Sequence, residues 1–109
     1  MIADNQTNTI YLSDLLRTDK RYSKTFNDLR QVLDTSGMQY NFLNKTRDIW
    51  ARDYMPIQVS KDRFVEFRFD PDYLQGTETE RRELKTYPDM VCENMGLKTV
   101  KSDIILDGG

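Results

Sequence analysis

The spacing of apolar residues changes period several times along the chain, and each change marks an element. From Asp14 to Gly37, the residues Leu15, Leu16, Tyr22, Phe26, Leu29, Val32 and Leu33 recur at helical intervals, which predicts an amphipathic helix. Ser13 is placed to cap its N-terminus and Gly37 to stop it, with an interruption expected at Arg17–Lys20. Residues 38–44 switch to period two, with Met38, Tyr40 and Phe42 alternating against Gln39 and Asn41, the mark of a half-buried strand. Residues 44–54 read as a loop or short helical turn. Pro56 opens a strand over 56–60, Lys61 and Asp62 make a tight turn, and a second strand runs over 63–69, so this pair is a β-hairpin. After a loop at 70–76, Thr77 caps a helix through Glu80 and Leu84. Pro88 starts another helical turn that carries Val91 and Met95 to a stop at Gly96. Short strands are expected at 98–100 and 104–106.

The resulting order, α-β-loop-β-β-α-β-β, is an α/β mixture with no linker or low-complexity segment, so residues 1–109 are read as one domain. The succession of strand, loop, hairpin, helix and strand is one supersecondary unit plus the start of another. Strands at 65–69 and 103–106 need partners to cover their faces and edges. That need predicts association through open strand edges, and a chain that is part of a larger whole.

Composition narrows the function classes. Hydrophobic residues make up 38% and charged residues 31%, but five phenylalanines, six tyrosines and one tryptophan supply bulky core material and argue against wholesale disorder. The net charge of −2 comes from interspersed acids and bases, so nucleic acid is a poor partner. No apolar run reaches membrane-spanning length and the N-terminus lacks the pattern of a signal peptide. A cytoplasmic setting is expected. The single cysteine, Cys92, excludes an internal disulfide and a multi-cysteine metal site. It sits mid-helix beside Val91 and Met95 and reads as a packing residue. The chain has no histidine at all, which removes the commonest general base and a common metal ligand.

Candidate chemistry concentrates in "DIWARD", residues 48–53. One reading is local: Trp50 packs in the core and Arg52 pairs with its flanking aspartates. The other asks which ligand wants carboxylates beside an aromatic face. A guanidinium does, because it is planar, permanently charged and offers paired N–H donors to a carboxylate fork, while an aromatic ring covers its face or alkyl stem. Asp53 with Asp107 would form such a clamp. Asp107 ends an apolar strand just before Gly108 and Gly109, which permit close backbone approach.

These residues also carry a family resemblance. The run Asp48, Trp50, Arg52, Asp53 and Pro56, followed by a strand ending in Asp107, Gly108 and Gly109, resembles the guanidino-modifying deiminases, the agmatine deiminase and bacterial peptidyl-arginine deiminase family. The resemblance implies an α/β propeller (pentein) of five ββαβ-type units, of which this chain holds one unit and part of a second. It implies that Asp53 grips a substrate guanidinium, that Trp50 packs on the alkyl arm, and that Arg52 braces the loop by pairing with Asp48 or a backbone carbonyl. The implied substrate is a guanidino compound, agmatine or free or peptidyl arginine, and no cofactor or metal is involved. A cysteine thiolate attacks the guanidinium carbon, ammonia leaves, and water releases a ureido product, with a histidine moving the protons.

Three departures stand out. Met55 occupies the place of the family's glycine, and Asp107 that of a glutamate. The family's histidine and nucleophilic cysteine have no counterpart here, so the chain by itself is expected to be inactive. Arg68 pointing into the site favours a substrate carboxyl group, whereas Asp70 or Asp72 pointing in favours an amine; a solvated strand edge is the plain alternative. The rival function is a short non-catalytic chain that acts as an oligomerising or partner-binding module.

Overall fold

The computed structural model describes residues 2, 4–71 and 76–106. Its strands form two sheets among the described residues, a parallel pair and a mixed sheet of three. The first unit begins with β1, Thr9–Ser13, followed by α1, Leu15–Thr18, a 3-10 turn at Lys20–Tyr22 and α2, Ser23–Ser36. It closes with β2, Gln39–Leu43, which pairs in parallel with β1 from Thr9 opposite Gln39 to Ser13 opposite Leu43. A parallel pair needs a long crossover, and α1 and α2 provide it. The helix breaks where the polar run Arg17–Lys20 predicts. It stops at Gly37, whose left-handed φ of 70° lets the next amide, Met38 N–H, return to the Leu33 carbonyl at 3.1 Å. One side of α2 covers β2: the rings of Phe26 and Phe42 meet edge to face with centroids 5.7 Å apart, and the Arg17 guanidinium lies 4.0 Å from the Phe42 centroid.

The second unit is β3, Ile57–Ser60, β4, Arg63–Arg68, α3, Glu78–Leu84, α4, Pro88–Asn94, and β5, Thr99–Ile105. Its order is ββαβ. The β3–β4 hairpin turns at Lys61 and Asp62, and β4 pairs in parallel with β5 across the α3–α4 crossover. Gly96 ends α4 with a φ of 73°, the stop expected from the sequence.

Two expectations need correction. Ser13 is not the N-cap residue but the last residue of β1, and Asp14 takes the N-cap position of α1, while the Ser13 hydroxyl accepts the Leu15 amide at 3.3 Å. Backbone pairing with β2 holds residues 9–13 extended, which local helix signals cannot reveal. The segments 98–100 and 104–106 are not two strands either. Lys101, Ser102 and Asp103 carry the chain between them through an irregularity at which Glu66 faces Lys101 and Arg68 faces Ile105. This bulge lies on a strand with one neighbour in its sheet, where bulges are common.

The buried apolar cluster is Leu43 at the end of β2, Tyr54, Phe69 just past β4, and Val91 in α4, with Ala51, Met55 and Met95 against it. It therefore joins both units beneath the segment that links them. Leu43 is fully buried, whereas Val32 on α2 is 65% exposed. Leu43→Ala should lower the unfolding free energy by about 2–5 kcal/mol, and Val32→Ala by under about 0.5 kcal/mol. Urea denaturation of the two variants checks this, and equally small effects would show that the cluster is not the stabilising core.

Candidate functional site

The linking segment, residues 44–56, lies at the C-terminal ends of the parallel strands. Ser13, the last residue of β1, places its Oγ 2.6 Å from Thr46 Oγ1. Leu43 closes β2 just ahead of the segment, and Tyr54 near its far end packs against Phe69, ring centroids 5.9 Å apart. Open α/β folds put ligands at this end of their strands, because the loops there diverge from rigid elements.

Several bonds fix the path of the segment. Lys45 turns the chain with a φ of 65°, the one positive φ at a non-glycine residue among the described residues. The Arg47 amide donates to Thr86 Oγ1 at 2.7 Å. Asp48 Oδ1 accepts the Trp50 amide at 2.9 Å, an Asx turn that starts the 3-10 turn Ala51–Asp53. Asp53 N–H donates to the Trp50 carbonyl at 3.0 Å, and the Tyr54 hydroxyl donates back to the Asp48 carbonyl at 2.8 Å. Met55 stays outside the left-handed region and packs partly buried on the core. A glycine's freedom is not needed at that position, so this departure from the deiminase pattern leaves the turn intact.

The side chains sort clearly. Trp50 is 65% exposed, so it is not a core residue. Asp48 and Asp53 are half-buried and Arg52 is exposed. Burial raises the Asp48 carboxyl above its ordinary value, opposed by the Trp50 N–H and reinforced by the nearby Asp53 charge. The Tyr54 phenol is pushed up more strongly, by burial first and by the Asp48 charge second. The 48–53 loop therefore presents two carboxylates and an open indole face on a backbone held from below.

Arg68 is exposed at the end of β4, opposite Ile105, and its carbonyl receives the Leu106 amide at 3.0 Å. It lines a cleft of about 320 Å³ with Glu66, Lys85, Asp89, Lys101 and Asp103; neither Trp50 nor Asp53 lines it. Asp70 is half-buried and holds Lys85 Nζ at 3.0 Å. Asp72, Asp107, Gly108 and Gly109 lie outside the described residues.

Cys92 is buried in α4, and its thiol is pushed up to about 12 by burial, with the Glu66 carboxylate adding to the effect. Glu66 is itself buried and accepts the Thr99 hydroxyl at 2.9 Å. A nucleophilic cysteine needs the opposite surroundings, cationic and accessible, so Cys92 is a packing residue. Among the described residues no group of three or more Cys, Asp or Glu could hold a metal ion, and no helix is long and apolar enough to cross a membrane.

Sequence reasoning missed the residues under the loop: Ser13, Thr46, Tyr54 and Thr86, all buried. The one local signal was Tyr54, an aromatic residue directly after the acidic run and ahead of a strand. Nothing local marks Ser13 or Thr86.

A family model described as Porphyromonas-type peptidyl-arginine deiminase matches residues 1–109. No curated protein and no solved structure gives a match.

Two outcomes follow from the electrostatics. Because the folded-state value of Asp48 lies above the ordinary 3.8, the native state holds a proton that the unfolded chain releases first. Its contribution is present below that value and is lost as pH rises through the raised one. Asp48→Asn keeps an acceptor for Trp50 and carries no charge, so it should flatten the decline in stability as pH rises above 3.8. Denaturant titrations of both proteins at several pH values measure the slope, and an unchanged slope would assign the effect to other groups. Cys92 should react with iodoacetamide at pH 8 only as fast as the chain unfolds, followed by mass spectrometry across a urea series; rapid labelling of the native chain would refute its burial.

Proposed function

The chain belongs to the Porphyromonas-type peptidyl-arginine deiminase family, and from that premise we propose that residues 48–53 form the guanidinium-holding part of a deiminase site. The observation that carries this reading is the pairing of an open Trp50 face with the half-buried Asp53 carboxylate on one short, tightly bonded turn. In this reading Asp53 takes two guanidinium N–H groups and Trp50 covers the alkyl arm. Asp107 supplies the second carboxylate, and Gly108 and Gly109 let the backbone come close. Asp48 braces the turn through the Trp50 amide, and Arg52 braces the loop from outside.

Deimination needs a thiolate that adds to the guanidinium carbon, a proton donor for departing ammonia, and a base for the water that cleaves the thiouronium. With no histidine in the sequence and Cys92 buried, those groups come from residues outside these 109, and the chain alone is inactive. Two carboxylates flanking a bound guanidinium orient its carbon toward the thiolate and hold its charge in place while the bond forms. The scheme uses no cofactor.

The wider architecture in this reading is the α/β propeller of repeated ββαβ units. The β3–β4–α3–α4–β5 order supports it, and β1 with β2 forms the neighbouring partial unit. For the substrate tail, Asp70 is already held by Lys85 while Arg68 is exposed. Because the Arg68 cleft is not shared with Trp50 or Asp53, neither Arg68 nor Asp70 decides between free arginine, peptidyl arginine and agmatine. A cytoplasmic setting belongs to the same reading and rests on the sequence. Association of copies is supported by the exposed Val100, Ile104 and Ile105 on β5.

Asp53→Asn should leave the fold intact and weaken binding of an arginine-containing peptide by about ten- to a hundredfold, the worth of a charge-assisted hydrogen bond. Calorimetric titration of peptide, free arginine and agmatine into both proteins provides the measurement. Equal affinities for the variant and the parent would remove Asp53 from the clamp.

A further inference from the structure

Four hydroxyl groups meet beneath the guanidinium loop, and they come from four separate places in the chain. Ser13 ends β1, Thr46 and Tyr54 stand at the two ends of the loop, and Thr86 precedes α4. Ser13, Tyr54 and Thr86 are at most 2% exposed and Thr46 is 8% exposed. Ser13 and Thr46 share a hydrogen bond of 2.6 Å, and hydrogen bonding with the Ser13, Thr46 and Thr86 side chains opposes the burial that raises the Tyr54 phenol.

Residues of similar volume without hydroxyls would fill these positions and avoid the cost of desolvating four polar groups. What the hydroxyls add is directed bonding to the loop backbone. Thr86 Oγ1 accepts the Arg47 amide and Tyr54 Oη donates to the Asp48 carbonyl. The turn bearing Trp50 and Asp53 is thereby anchored immediately before Asp48 and immediately after Asp53. Ser13 adds β1, whose end is tied to β2 by the Asp14 amide on the Leu43 carbonyl at 3.0 Å.

We propose that Ser13, Thr46, Tyr54 and Thr86 are the positioning residues of the guanidinium clamp, a hydroxyl cluster through which the two units together set the geometry of Asp53 and Trp50. This rests on the reading of the 48–53 turn as a guanidinium site. The cluster touches no substrate and acts through the loop backbone alone.

Thr86→Val and Thr86→Ser separate this role from bulk stability. Valine keeps the volume and removes the acceptor for Arg47, whereas serine retains it. In the full chain, Thr86→Val should speed amide exchange at Trp50 and Asp53 by about tenfold beyond any change at the β4–β5 amides. It should also weaken arginine-peptide binding by about fivefold or more, and Thr86→Ser should restore both. A uniform rise in exchange across the chain, no change at Trp50 and Asp53, or undiminished peptide affinity would each overturn the proposal. If the parent chain binds no arginine peptide, the guanidinium reading falls, and the exchange pattern alone decides whether the cluster positions the loop. If Thr86→Val does not fold, Tyr54→Phe, which removes the donor to Asp48, is judged by the same comparisons.

Discussion

A buried hydroxyl is tolerated only when its hydrogen bonds are made, because desolvation without a partner costs about 1–3 kcal/mol per group. Four such groups face one another where the two units of this chain meet, and that requirement governs the rest of the arrangement. Satisfying Ser13 brings the end of β1 to Thr46, and satisfying Thr86 brings the start of α4 to Arg47. Tyr54 joins the polar cluster to the apolar one: its oxygen bonds the loop while its ring lies on Phe69. Apolar burial of Leu43, Phe69 and Val91 supplies the non-directional attraction, and the hydroxyls select one registry of loop on sheet. Buried polar networks of this kind specify geometry more than they add stability.

Elements whose information is local were legible in the sequence. The α2 face, the Lys61–Asp62 turn and the stops at Gly37 and Gly96 follow from side-chain period and backbone freedom alone. Strand β1 was not legible, since Thr9–Ser13 is short and its extended state depends on a partner strand that begins at Gln39. Strand β5 was read as two pieces because Lys101, Ser102 and Asp103 interrupt its apolar positions, and only pairing with β4 shows the continuity. The acidic turn stood out as a candidate site from residue types and spacing. Its support did not, because Ser13 and Thr86 look like ordinary loop residues until the fold brings them together.

The site is asymmetric in a way that suits its proposed part in catalysis. The described residues hold charge and aromatic surface, while the one thiol is kept neutral behind a buried glutamate. In the proposed reading, binding groups and reacting groups belong to different regions of the enzyme, and the geometry of the first can be set without regard to the acid–base demands of the second. Asp48 titrates at a raised value chiefly because it is partly buried, with the nearby Asp53 charge adding to the effect.

The exposed Trp50 has an optical consequence. It is the only tryptophan in the sequence, so light absorbed at the red edge of the near-ultraviolet excites an indole on the acidic turn and nowhere else. At 65% exposure its emission carries the long-wavelength signature of water contact, and any ligand that covers the ring shifts it toward the blue. The protein thus carries its own fluorophore on the proposed guanidinium turn, with no label needed to observe it.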